Sequence, residues 1–78
     1  MISVVQIKAA RTMLGWSATK LSEEVGVSPA TVKRYELQDG IPNANTSIVM
    51  AIKSCLENHG IEFTGDPLKN PGVILHLK

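Results

Sequence analysis

One arrangement occurs three times in the first 32 residues: a serine with an apolar residue just before it and another four residues after it. The sets are Ile2-Ser3-Ile7, Trp16-Ser17-Leu21 and Val27-Ser28-Val32. A serine hydroxyl accepts from the free N–H groups of a helix's first turn, and the flanking apolar pair closes over the entry. Ser3, Ser17 and Ser28 are therefore expected to start three helices. Gln6, three residues after Ser3, completes a capping box, and Pro29 fills the first helical position after Ser28, where a missing N–H costs nothing. Gly15, Gly26 and Gly40 stand where each helix should stop in a left-handed residue. The expected helices are Val4–Leu14, Ala18–Val25 and Pro29–Leu37, and only Gly26, Val27 and Ser28 separate the second from the third.

A three-residue link with glycine between two short helices is helix-turn-helix geometry. Asp39-Gly40 and Ile41-Pro42 then break the chain, and a fourth helix is expected over Thr46–His59. Ile48, Ile52, Cys55 and Leu56 form its apolar stripe, and Gly60 ends it. The tail reads as two short strands, Ile61–Phe63 and Val73–Leu77, around a loop from Thr64 to Gly72. The expected fold is mainly α: a bundle of about four helices with a short C-terminal β-hairpin. Residues 1–60 would be the helix-turn-helix unit and residues 61–78 the hairpin and dimerisation element. A lone hairpin is marginal in water, so it should pack on the helices or on a second chain, burying Phe63, Val73 and Leu75. With 78 residues there is room for one domain, marginal alone and helped by dimerisation. Trp16, Tyr35 and Phe63 are the only aromatic residues, so the core has to be aliphatic.

The third helix carries the functional reading. At about 100° per residue, Val32 and Tyr35 point to one side, flanked by Thr31 and Glu36. Ala30, Lys33, Arg34 and Leu37 share the other, which is cationic and small near its start. A helix fits the major groove of DNA, where Arg34 is the better base reader because its planar fork can make two bonds to guanine. Pro29 and Ala30 can touch thymine methyls, and Ser28 can bond a phosphate, a base or only its own helix. Ser17, Thr19 and Lys20 surround the start of the second helix, whose free N–H groups and partial positive charge suit a phosphate. An adjacent Lys-Arg pair alone is more often a solvated helix face; the short turn and matched caps give this one its functional weight. The partner implied is double-stranded DNA, read by a homodimer with half-sites about 34 Å apart.

The net charge of +1 is too small to supply DNA affinity, so the placement of charges has to. The same low charge suits a rival role as a protein-interaction module, for example an antitoxin with secondary DNA binding. A single cysteine excludes a disulfide within the chain. No secretory signal or membrane-length apolar run is visible, so the expectation is a cytoplasmic protein with no membrane partner. Cys55 and His59 have metal-compatible spacing, but His76 is the only other histidine and Cys55 falls on the apolar stripe; no metal or cofactor is expected. Glu23-Glu24 reads as a solvated pair, and no nucleophile–base set or phosphate loop appears, so no enzyme activity is expected.

The residues Leu14-Gly15-Trp16-Ser17, then Leu21, Ser22, Val25, Gly26, Val27 and Ser28, then Thr31, Val32, Tyr35 and Glu36 resemble the Cro and lambda-repressor-like helix-turn-helix family, also called the XRE family. Ile48 to Phe63 and the late Gly72-Val73 are similar to a subgroup of small bacterial and phage members. The resemblance implies a lambda-repressor-like domain, usually dimeric, acting as a transcriptional regulator, here as a repressor. It also implies a structural ion pair between Arg11 and Glu36, which makes Arg11 a scaffold residue. The chain departs from the pattern at Ala18, where the family often has Gln, and at Pro29 and Ala30, where polar base readers are common. Base reading would therefore shift onto Lys33 and Arg34.

Overall fold

In the computed structural model, which describes residues 1–43 and 45–77, the three serines each cap a helix. Ser3 Oγ accepts from the Gln6 N–H, while Gln6 Oε1 accepts from the Ser3 N–H at 3.0 Å, a complete capping box. Ser17 Oγ accepts from the Lys20 N–H and Ser28 Oγ from the Thr31 N–H. The helices that follow are α1 (Val4–Met13), α2 (Ala18–Val25) and α3 (Pro29–Glu36). Then come α4 (Thr46–Asn58), capped by Asn45, and strands β1 (Ile61–Thr64) and β2 (Gly72–Leu75). The strands pair antiparallel, Ile61 opposite Leu75 and Thr64 opposite Gly72. The architecture is mainly helical with a two-stranded C-terminal hairpin.

The apolar residues on either side of the serines enter one core. Ile2, Ile7, Leu21 and Val32 are buried with Ala10, Tyr35, Ile52 and Leu56, and Trp16 and Val27 pack against them half-buried. Each fully buried aliphatic side chain contributes about 1.5–3 kcal/mol, and with so little aromatic bulk the aliphatic set carries the fold. Gly26 closes α2 at φ 89°, a left-handed conformation that side-chain-bearing residues disfavour, and turns the chain into α3. Gly60 does the same after α4 at φ 95°; a Cβ there would lie 2.8 Å from the His76 backbone oxygen.

Several boundaries and one stripe differ from expectation. Leu14, Leu37 and His59 are C-caps rather than the last residues of their helices. The buried stripe of α4 is Val49, Ile52 and Leu56, with Ile48 and Cys55 only half-buried: the core meets this helix one residue further round than expected. β1 reaches Thr64, while β2 begins at Gly72 and ends at Leu75. His76 keeps one backbone bond, N–H to the Gly60 oxygen at 2.8 Å, but Leu77 is 85% exposed, and position 78 lies outside the described residues. Phe63, Val73 and Leu75 pack half-buried against this chain's own core, while Ile74 faces solvent.

The hairpin is fastened by a residue from the opposite end of the chain. Gln6 is 3% exposed, and its Nε2 donates to the backbone oxygens of both Thr64 (3.2 Å) and Gly72 (3.0 Å). One amide thus completes the cap of α1 and clasps the two strands of the hairpin at its loop end. Gln6→Leu keeps the size and removes both functions, leaving the buried Ser3 N–H unpaired. The expected loss is about 1–3 kcal/mol in urea unfolding, with hydrogen exchange in β1 and β2 accelerated more than in α3.

Candidate nucleic-acid interface

The orientation of α3 follows from which of its residues the core takes. Val32 and Tyr35 are 1% and 3% exposed and Glu36 is buried beside them. Ala30, Lys33, Arg34 and Leu37 are exposed, and Leu37 is 87% so. The outer side of α3 is therefore a protruding surface, small at its start, cationic in the middle and apolar at its end. Neither Lys33 nor Arg34 forms an ion pair among the described residues; Arg34 leans its guanidinium over the Tyr35 ring at 5.6 Å.

Arg11 and Glu36 hold α3 at this angle. Arg11 Nε donates to Glu36 Oε2 at 2.8 Å and Nη2 to Oε1 at 2.9 Å, a two-pronged pair. Its Nη1 donates to the Trp16 backbone oxygen at 2.8 Å, so one guanidinium joins α1, the α1–α2 turn and α3. Two parallel bonds fix direction as well as distance. Arg11 is thus engaged by Glu36 and the Trp16 oxygen, with its side chain 19% exposed.

The start of α2 offers the second element. Ser17, Thr19 and Lys20 are all exposed there. Lys20 N–H is taken by Ser17 Oγ and Leu21 N–H by the Ser17 oxygen. This leaves the first-turn N–H groups of Ala18 and Thr19 for an outside acceptor, the usual situation of a helix start. In α3 Pro29 has no N–H, and Thr31 N–H is already bonded to Ser28. Ala30 therefore provides the one open donor of that first turn. Ser28 Oγ also lies 2.9 Å from Thr31 Oγ1, so this serine serves its own helix while staying exposed. Ser17, Thr19, Lys20, Ser28, Pro29, Ala30, Lys33 and Arg34 all lie at or near the surface of the α2–turn–α3 segment.

His59 and Cys55 meet through the backbone. His59 Nδ1 lies 2.8 Å from the backbone oxygen of Cys55, so its ring addresses a carbonyl rather than the thiol. Burial, and then the Glu24 carboxylate, push the Cys55 thiol above its ordinary value. Sequence reasoning missed two contributors. One is Glu24, whose i,i+4 spacing to Lys20 was visible. The other is the His59–Trp16 edge contact, which no local pattern encodes.

A family model described as helix-turn-helix matches residues 7–53, more than half of the chain. The matched span runs from α1 to the middle of α4 and contains all the surface residues just named. No curated protein and no solved structure gives a match. Among the described residues no helix is long and apolar enough to cross a membrane.

Removing one member of the Arg11–Glu36 pair strands the other where water cannot reach it well. Arg11→Met is expected to cost about 3 kcal/mol in urea unfolding, and the double change Arg11→Met with Glu36→Leu to cost less than the single one. A double variant less stable than the single would show that the pair stabilises the fold beyond mutual neutralisation.

Proposed function

The chain belongs to the Cro and lambda-repressor-like (XRE) helix-turn-helix family of DNA-binding transcriptional regulators, and from that membership we propose that it is a sequence-specific repressor that binds duplex DNA as a homodimer. The observation that carries the reading is the outward face of α3, where Lys33 and Arg34 stand exposed with no ion-pair partner among the described residues. In this reading α3 enters the major groove. Arg34 forks onto a guanine, Lys33 supports it, and Pro29, Ala30 and Leu37 offer apolar contact to thymine methyls. Ser17, Thr19 and Lys20 seat a phosphate at the start of α2, and Ser28 a second one at the start of α3. The chain is about 28 Å across between its outermost Cα atoms. Two copies side by side can therefore set their α3 helices about 34 Å apart, one turn of DNA.

The hairpin supports the dimer through what it leaves uncovered. Phe63, Val73 and Leu75 serve the chain's own core, so the surface left for a second copy is the solvent side of β2, where Ile74 is 44% exposed, together with Leu77. Ile74→Lys is the better probe than truncation, because it alters that surface without removing core residues. Sedimentation should show the parent as a dimer and Ile74→Lys as a monomer; an unchanged dimer would move the interface elsewhere. A second reading, as a protein-binding module such as an antitoxin, is favoured by an apolar groove of about 270 Å³ between the N-terminus and α4, edged by Met1, Ile41, Pro42 and Met50.

Salt and mutation separate the readings. Duplex binding should weaken with rising salt at a slope near −0.9 per phosphate neutralised. Arg34→Ala should remove about 1–3 kcal/mol of preference for the best duplex over random sequence. Lys20→Ala should weaken binding about equally on every duplex and reduce the slope by about 0.9. Gel-shift selection from random duplexes followed by titration of both variants provides the measurement. If both variants match the parent on selected and random duplexes, the assignment of these residues is wrong.

A further inference from the structure

Lys20 does not stand alone at the start of α2. Its Nζ lies 3.2 Å from Glu24 Oε2, one turn further along the helix. The other oxygen of the same carboxylate faces His59 Nε2 at 3.5 Å. The imidazole is positioned from two more sides. Its Nδ1 is 2.8 Å from the Cys55 backbone oxygen, and its ring stands edge-on to Trp16, with centroids 4.7 Å apart and planes at 75°. A carbonyl oxygen only accepts, so Nδ1 carries a proton. In a neutral ring Nε2 then turns a lone pair toward the carboxylate; in the charged ring it turns an N–H toward it. Glu24 is thus shared between a permanent cation on its own helix and a switchable one at the end of α4.

We infer that His59 is a positioning residue for DNA binding: through Glu24 it sets how freely Lys20 can leave the protein surface for a phosphate. The inference rests on the assignment of Lys20 as a phosphate contact. With His59 neutral, the carboxylate charge acts on Lys20 alone and holds the ammonium back along α2. With His59 protonated, that charge is divided and the imidazolium repels the ammonium, so Lys20 reaches outward at less cost. The charged or titratable groups around His59 are Glu24 and, beyond it, Lys20 on α2, and, lining the same cavity just after β2, His76, which is paired with Glu62; from α4 it meets the backbone and uncharged thiol of Cys55, and from the α1–α2 turn the indole of Trp16.

The sign follows from linkage. Binding of DNA draws Lys20 away from Glu24. The carboxylate then acts on His59 alone and favours its protonated form, so complex formation takes up protons. By reciprocity, duplex affinity rises as pH falls through the titration of His59. Lys20, Glu24 and His59 side chains are 48%, 33% and 40% exposed, so the coupling has the size of a surface pair, about two- to fivefold in affinity.

Trp16 is the only tryptophan and lies against the ring, so its emission, which an imidazolium quenches, reports His59 directly. The probe is an unlabelled duplex of about 20 base pairs of arbitrary sequence at low salt, since a phosphate contact needs no operator. On going from about pH 8 to about pH 5.5, the parent's affinity is expected to rise about two- to fivefold more than that of Glu24→Gln or His59→Gln. The midpoint of Trp16 quenching should move to higher pH when duplex is added to the parent, and stay in place for Glu24→Gln. The same pH dependence in parent and both variants, or a Trp16 midpoint indifferent to duplex that is demonstrably bound, overturns the inference. A parent that binds no duplex at any pH overturns the DNA reading as well, and is told apart by the absence of any complex.

Discussion

Almost everything presented to the outside depends on the fork between Arg11 and Glu36. Three short helices of eight to ten residues cannot hold their mutual angles by propensity, since isolated helices of that length are unstable in water. Packing of Ile7, Leu21, Val32 and Tyr35 brings them together and decides which side of α3 faces inward. The guanidinium fixes rotation. It bonds α3 at two oxygens and the turn before α2 at a third, so the roll of α3 and the entry of α2 are set by one planar group. The outward side of α3 is in this sense set by inward contacts, the apolar pair Val32 and Tyr35 and the ion pair of Glu36.

That arrangement separates two kinds of cation. Arg11 is committed inward, while Lys33 and Arg34 are left to solvent on the side of α3 turned away from Val32 and Tyr35. Lys20 belongs to neither group, because it is exposed yet engaged with a carboxylate that answers to a different helix. A chain with a net charge of only +1 can still concentrate positive potential locally when its acidic residues are set to pair some cations and leave others open.

Much of this was legible before any coordinates. The serine caps, the left-handed glycines and the apolar pairs are local devices, each fixed by residues within five positions, and the helices start where those devices place them. The faces of α3 followed from its angular period. The less local features were harder to read. The stripe on α4 was displaced because Ile48, Val49 and Ile52 are all apolar, and only the position of the rest of the core decides between Ile48 and Val49. β2 ends early because Leu77 has nothing to pair with or pack against, a fact about neighbours rather than about its own preference. Gln6 was readable as half of a capping box; its reach to Thr64 and Gly72 spans about sixty positions and leaves no local trace.

That reach makes the molecule a closed loop in three dimensions, although its polymer is open. The side chain touching both hairpin strands is also the one ordering the first helical turn, so neither the hairpin nor that turn can fray without loosening the other. A nascent chain emerging N-terminus first cannot seat Gln6 until Gly72 has appeared, so α1 gains its full anchorage only after the hairpin has been made.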